Sequence, residues 1–166
     1  MNTPVVGVVV MGVSGAGKST VAQALAQRLG RPFIEGDALH PPANVAKMAR
    51  GEPLDDEDRR PFLEAIAERL AAAPGAIAAC SALKRQYRDL LRARAGELTF
   101  VHLQASHTEL MHRLTARPGH FMPASLLTSQ LATLEPLQAD ERGLVLPSTA
   151  SLDELVAQLA RWTDPG

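Results

Sequence analysis

The feature that most constrains this chain lies between residues 5 and 29. Val5-Val6-Gly7-Val8-Val9-Val10-Met11 is a short, unbroken apolar run rich in β-branched residues, which reads as a strand buried on both faces. It passes directly into Gly12-Val13-Ser14-Gly15-Ala16-Gly17-Lys18-Ser19-Thr20, a Gly-x-x-x-x-Gly-Lys-Ser loop. Beyond it, Val21, Leu25 and Leu29 recur at helical spacing and Gly30 ends the run. Strand, glycine-rich loop and helix in that order make a phosphate-binding loop. Gly12, Gly15 and Gly17 let successive N–H groups converge on one anion, and the helix adds its positive end. Lys18 is placed to reach β- and γ-phosphates, and the Ser19 hydroxyl suits the shell of a Mg²⁺ ion, which prefers small hard oxygens. The whole stretch Gly12–Thr20, with Val13, Ser14 and Ala16 contributing backbone, is the expected nucleotide cradle.

A chain of 166 residues fits one domain, 1–166, with a full core. Its net charge of −1 offers no basic footprint for nucleic acid and no polybasic membrane surface. The single cysteine, Cys80, rules out an internal disulfide and suits a reducing compartment. No apolar run approaches the roughly 20 residues of a membrane span, and the first apolar run lacks the basic flank of a signal peptide. Cytoplasmic placement is the expectation.

Further strands are expected at Arg31–Asp37, Ala76–Cys80, Leu98–Leu103 and, more weakly, Gly143–Leu146. Helices are expected through Val45 and Met48, from Asp56 to Ala73 with Asp55 as N-cap and Phe62, Ile66 and Leu70 as core stripe, over Lys84–Arg94, from Ser106 onward, over Ala124–Leu134, and over Ser151–Trp162. Arg117-Pro118-Gly119-His120-Phe121-Met122-Pro123 breaks the pattern and reads as a mobile lid, taken as residues 117–135 or so. The alternation defines an α/β class, a five-stranded, mostly parallel sheet in a three-layer α/β/α arrangement. Ligands in such sheets sit beyond the C-terminal strand ends. That rule gathers Gly12–Ser19, Asp37, Ser81–Lys84 and the Arg117 segment on one rim.

Absences narrow the class. The third strand ends in Cys80-Ser81, without the metal-holding aspartate of many ATPases and GTPases, and no Asn-Lys-x-Asp stretch reads guanine. Asp37 follows the second strand instead, suited to orient or deprotonate an acceptor hydroxyl, or else to cap a turn. A small-molecule kinase fits better than a switch. Across nearly its whole length the chain resembles the gluconokinase family. The resemblance rests on Gly12–Thr20; Gly36-Asp37-Ala38-Leu39-His40-Pro41 with Asn44, Lys47 and Met48; Gly51–Arg59; Cys80-Ser81-Ala82-Leu83-Lys84 with Tyr87-Arg88-Asp89; Gly119–Met122; and Gln138-Ala139-Asp140-Glu141-Arg142. Phe62 stands where that family suggests Trp. The resemblance implies a shikimate-kinase-like P-loop kinase fold, ATP-dependent phosphorylation of D-gluconate at its 6-hydroxyl with Mg²⁺, and a homodimer. The alternatives are a kinase for another small polyol or sugar acid, shikimate among them, and a non-catalytic ATP-binding module.

On this reading Lys18, Asp37 and Arg117 carry the transfer. A sugar acid's carboxylate calls for cations. Lys84 and Arg88, four apart in sequence, are expected on one helix face, with Arg59 behind them. His40 could touch the acceptor or, with Pro41, only shape its loop; Ser81 could touch the acceptor or fix the helix of Lys84. Arg113, like Arg117, either reaches the phosphates or serves a helix C-terminus, and His120 is a further lid candidate. His102, His107 and His112 meet no acidic cluster, no Cys/His set has zinc spacing, and Cys80 is expected to pack rather than react.

Overall fold

β1 (Gly7–Met11) runs through the middle of the sheet, and Val8, Val9, Val10 and Met11 are all buried, as an apolar strand covered on both faces must be. The structure is a computed structural model that describes residues 6–13, 15–116 and 124–163. Within them β2 (Phe33–Glu35), β3 (Ile77–Ala79), β4 (Leu98–Gln104) and β5 (Gly143–Pro147) join β1 in the order β2-β3-β1-β4-β5. Every pairing is parallel, and Val9 sits between Ala78 on one side and Phe100 on the other.

The strand order dictates the layers. From β1 the chain passes through α1 (Lys18–Leu29) to β2 in one direction. It returns through α2 (Pro42–Ala49) and α3 (Asp56–Ala72) to β3, then crosses through α4 (Arg85–Ala95) to β4 in the other. Right-handed crossovers in opposite directions place α1 on one face and α3 with α4 on the other. The packing agrees: α3 lies against α4, and α7 (Leu152–Thr163) closes the face of α1. α5 (His107–Ala116) and α6 (Ala124–Thr133) complete the chain between β4 and β5. The result is the expected three-layer α/β/α arrangement around one continuous apolar core.

Local chemistry sets the ends. Asp55 and Asp58 form a reciprocal capping box at the start of α3, and three acids stand in its first turn. Phe62, Ile66 and Leu70 are buried as their spacing requires. Ser106 and Ser151 cap α5 and α7, and Gly30 ends α1 in the left-handed conformation. The second strand is shorter than expected. It stops at Glu35, and Gly36–Leu39 forms a 3-10 turn. At that point the backbone runs close against β3: a Cβ on Gly36 would lie 2.1 Å from the Ala79 carbonyl oxygen. Only glycine lets the backbone bend so close to β3, and that bend aims the next residue, Asp37.

Candidate active site

The nucleotide cradle begins where β1 ends. Gly17 holds the left-handed conformation (φ 94°) at the N-terminus of α1, which β-carbon-bearing residues adopt at a penalty. Lys18 follows, only 7% exposed, with its Nζ donating to the Val13 carbonyl at 3.1 Å. Burial lowers its pKa from the ordinary lysine value; Asp37 is the strongest counterweight, followed by Cys80 and Glu35. Arg113 braces the loop from α5, donating to the carbonyls of Gly15 (2.8 Å) and Ser148 (3.1 Å). It therefore serves the loop backbone rather than the end of its own helix. The Ser19 hydroxyl donates to Glu35 Oε1 at 2.9 Å. Sequence reasoning passed over Glu35, although an acid at a C-terminal strand end was a signal that could have found it. Serine hydroxyl and carboxylate together are a hard-oxygen pair that fits Mg²⁺, which takes few protein ligands when it rides on phosphates.

Beside the cradle opens a cavity of about 200 Å³. Its wall brings together Lys18, Asp37, His40, Arg59 and Ser81, five of the residues singled out from sequence. The exposed Asp37 carboxylate makes no side-chain hydrogen bond among the described residues. Ser81 reaches the wall because the Ser81 carbonyl accepts from Gly12 N–H, tying the end of β3 to the start of the cradle. Phe62, Leu83, Leu126 and Gln130 supply much of the remaining wall.

Arg59 is held from behind. Its Nη1 donates to the Tyr87 hydroxyl at 3.0 Å, and that hydroxyl donates in turn to the Asp56 carboxylate. Tyr87 and Lys84 together pull the Asp56 carboxyl down to about 2. Sequence spacing did not reveal this chain, because it joins the first turns of two different helices. Lys84 precedes α4 and donates to Asp56 at 2.9 Å, outside the cavity wall.

Arg88 requires a correction. Its side chain is fully buried, and all five of its N–H groups are engaged inside the protein. Nε and Nη2 grip Glu141 at 2.7 and 3.0 Å; Nη1 donates to the Ala82 and Leu83 carbonyls and Nη2 also to that of Pro136. No donor is left for a substrate. The helix turns Arg88 inward while Lys84 sits outside the helix proper, so four-residue spacing did not put them on one accessible face. Burial works against the Glu141 carboxylate, but the Arg88 hydrogen bonds and the Gln138 amide outweigh it and hold its carboxyl below the ordinary range. Cys80 packs as expected, with burial pushing its thiol up to about 12. Ser14, Arg117, His120 and the first part of the proposed lid, 117–123, lie outside the described residues.

A glycine-rich cradle at the end of the central strand, opening on a small cavity where an acid faces the cradle's lysine, is the arrangement of a P-loop small-molecule kinase. A family model described as an AAA domain matches residues 8–137. The gluconokinase of Gluconobacter oxydans (strain 621H) is 53% identical over 157 residues, covering 92% of this chain and 88% of that one. The crystal structure of a gluconokinase from Sinorhizobium meliloti 1021 is 50% identical, with a TM-score of 0.87 over 99% of this chain and 97% of that one. The chain belongs to the gluconokinase family. A shikimate kinase from Bacteroides thetaiotaomicron, at 18% identity and TM-score 0.65 over 95% of this chain and 97% of that one, shares the fold.

Proposed function

We propose that this protein transfers the γ-phosphoryl group of ATP to the 6-hydroxyl of D-gluconate, giving 6-phospho-D-gluconate and ADP. One observation carries the reading: a single cavity lined by Lys18, Asp37 and Arg59 beside a nucleotide cradle. Phosphoryl transfer needs little covalent work from the protein, so positioning and charge stabilisation supply the rate. The cradle's N–H groups and Lys18 hold the phosphates and stabilise charge on the equatorial oxygens of the transferring group. The acceptor oxygen forms its bond to phosphorus as the bond to the ADP oxygen breaks, and the hydroxyl proton passes to Asp37. Arg59, the only cation besides Lys18 in the described cavity wall, is the group for the gluconate carboxylate. His40 and Ser81 face the acceptor's hydroxyls, while Lys84 tunes Arg59 through Asp56 and Tyr87. Arg117 and His120 are assigned to the lid on the break in the sequence pattern at residues 117–123.

Ser19 and Glu35 would hold Mg²⁺, which when bound neutralises phosphate charge. The reading extends to a homodimer, on the family resemblance, and to the cytoplasm, which a lone buried cysteine suits. Among the described residues no helix is long and apolar enough to cross a membrane. The deciding experiment is ADP release across a panel of sugar acids and shikimate. Turnover should require gluconate; release with shikimate alone, or with no acceptor at all, would reject the assignment.

A further inference from the structure

The cavity contains a histidine whose ring is hydrogen-bonded to a residue that plays no part in the reaction just described. Asn44, on α2, is only 4% exposed. Its Nδ2 donates to the Asp58 backbone carbonyl at 2.7 Å. A carbonyl oxygen can only accept, so that contact fixes which end of the amide is nitrogen. The same Nδ2 lies 3.3 Å from His40 Nδ1. Its second N–H therefore points at a ring nitrogen that must accept, and a ring nitrogen that accepts carries no proton. A neutral imidazole then keeps its one proton on Nε2. The surroundings favour the neutral form: the ring stands edge-on to Phe62 with centroids 3.7 Å apart, and burial, more than the nearby charges of Asp37 and Arg59, governs its titration. Among the described residues Nε2 has no protein partner, yet His40 forms part of the cavity wall.

We propose that Asn44 is a positioning residue that locks His40 as the Nε2–H tautomer, making it a donor-only group that selects a hydroxyl oxygen on the bound sugar acid. Asp37, in the same wall, is acceptor-only when ionised. The two together ask for a polyhydroxy chain: one hydroxyl gives its proton to the carboxylate, and a neighbouring oxygen receives a hydrogen bond from the imidazole. An analogue lacking that oxygen leaves a polar N–H in the cavity without a partner, and such a site discriminates strongly. The proposal rests on the gluconate reading for its substrate, but not for its tautomer.

The test has two arms. In ¹⁵N-histidine-labelled wild-type protein, long-range ¹H–¹⁵N correlation should show His40 Nδ1 bare and Nε2 protonated; a protonated Nδ1 overturns the proposal without any variant. In the kinetic arm, monodeoxy gluconates are compared with gluconate. Wild type should reject one deoxy position by at least about 10-fold in kcat/KM, and Asn44→Leu should lose that discrimination while the KM for ATP holds. His40→Leu should lose it too, and His40→Gln, which keeps a donor, should recover most of it. Equal rises in both KM values for Asn44→Leu, or discrimination left intact, would assign Asn44 to structure only. A bare Nδ1 in a protein that does not turn over gluconate would reject the acceptor, while the Asn44–His40 pairing would stand.

Discussion

Replacing Arg88 with methionine should damage the fold rather than remove a contact with the acceptor. Breaking a buried ion pair by removing one partner typically costs about 3–5 kcal/mol, because the remaining charge is stranded. Glu141 would not be wholly abandoned: Arg92 Nη2 lies at 3.1 Å and the Gln138 N–H at 3.1 Å. That places the ionic part at ~3 kcal/mol. The Ala82 and Pro136 carbonyls lose their Arg88 donors as well, at about 1 kcal/mol each, while the Leu83 carbonyl keeps the Glu135 N–H. The sum is about 5 kcal/mol, a large share of a typical domain's 5–15 kcal/mol. At about 2–4 °C per kcal/mol for a chain of this size, the melting temperature should fall by about 10–20 °C. Urea unfolding at low temperature gives the free energy while the variant is still folded. Adding Glu141→Leu should recover the ionic part, since two apolar side chains strand no charge. Arg88→Met with unchanged stability and a KM for gluconate raised about 10-fold or more would mean that the guanidinium reaches substrate.

Gly36→Ala should retain most of the fold yet lose about 100-fold in kcat/KM, because the new methyl must push the turn off the Ala79 carbonyl and carry Asp37 with it; an active variant would show that Asp37 tolerates displacement. Asp37→Asn should bind ATP normally by calorimetry and lose about 10²–10⁴-fold in turnover, and retained turnover removes it from proton transfer. Glu35→Gln should raise the Mg²⁺ concentration for half-maximal rate by about 10-fold; an unchanged requirement would confine Glu35 to orienting Ser19. Acid should weaken the fold through two histidines. Burial holds His40 and His102 below the ordinary histidine value of 6.5. Between that lowered value and 6.5 the unfolded chain binds more protons than the folded one, so stability falls as pH drops through the window and is level above it. His102→Gln should flatten the slope between pH 7 and 5 in denaturant melts, and an unaltered slope would contradict the assignment.

What could be read from the sequence was carried by short-range pattern. The cradle needed only a strand, a loop and a helix in order. Asp55 as cap and Phe62, Ile66 and Leu70 as stripe needed only helical spacing, and each is where that spacing puts it. Asp37 was placed on the rim because parallel sheets place ligands at C-terminal strand ends, and it does line the cavity with Lys18. Glu35 was overlooked two residues earlier because an acid within a strand reads as an ordinary edge residue until its partner, Ser19, is seen across the gap.

Arg88 shows why the remainder could not be read. Tyr87-Arg88-Asp89 and Gln138-Ala139-Asp140-Glu141-Arg142 are visible as two separate stretches, and nothing in either says that they are halves of one contact. The arginine meets Glu141 across 53 residues, so its partner is set by topology, not spacing. Once paired, it acts on the site from behind the wall. It donates to the Ala82 carbonyl, and Ala82 is the one non-glycine residue with positive φ (42°) among the described residues. Such a conformation persists only where neighbours over-determine it. Ala82 stands between Ser81 and Leu83, both in the cavity wall. The buried ion pair thus helps hold the strained turn that shapes the cavity wall, and a residue with no donor to spare for a ligand can still matter to what the cavity accepts.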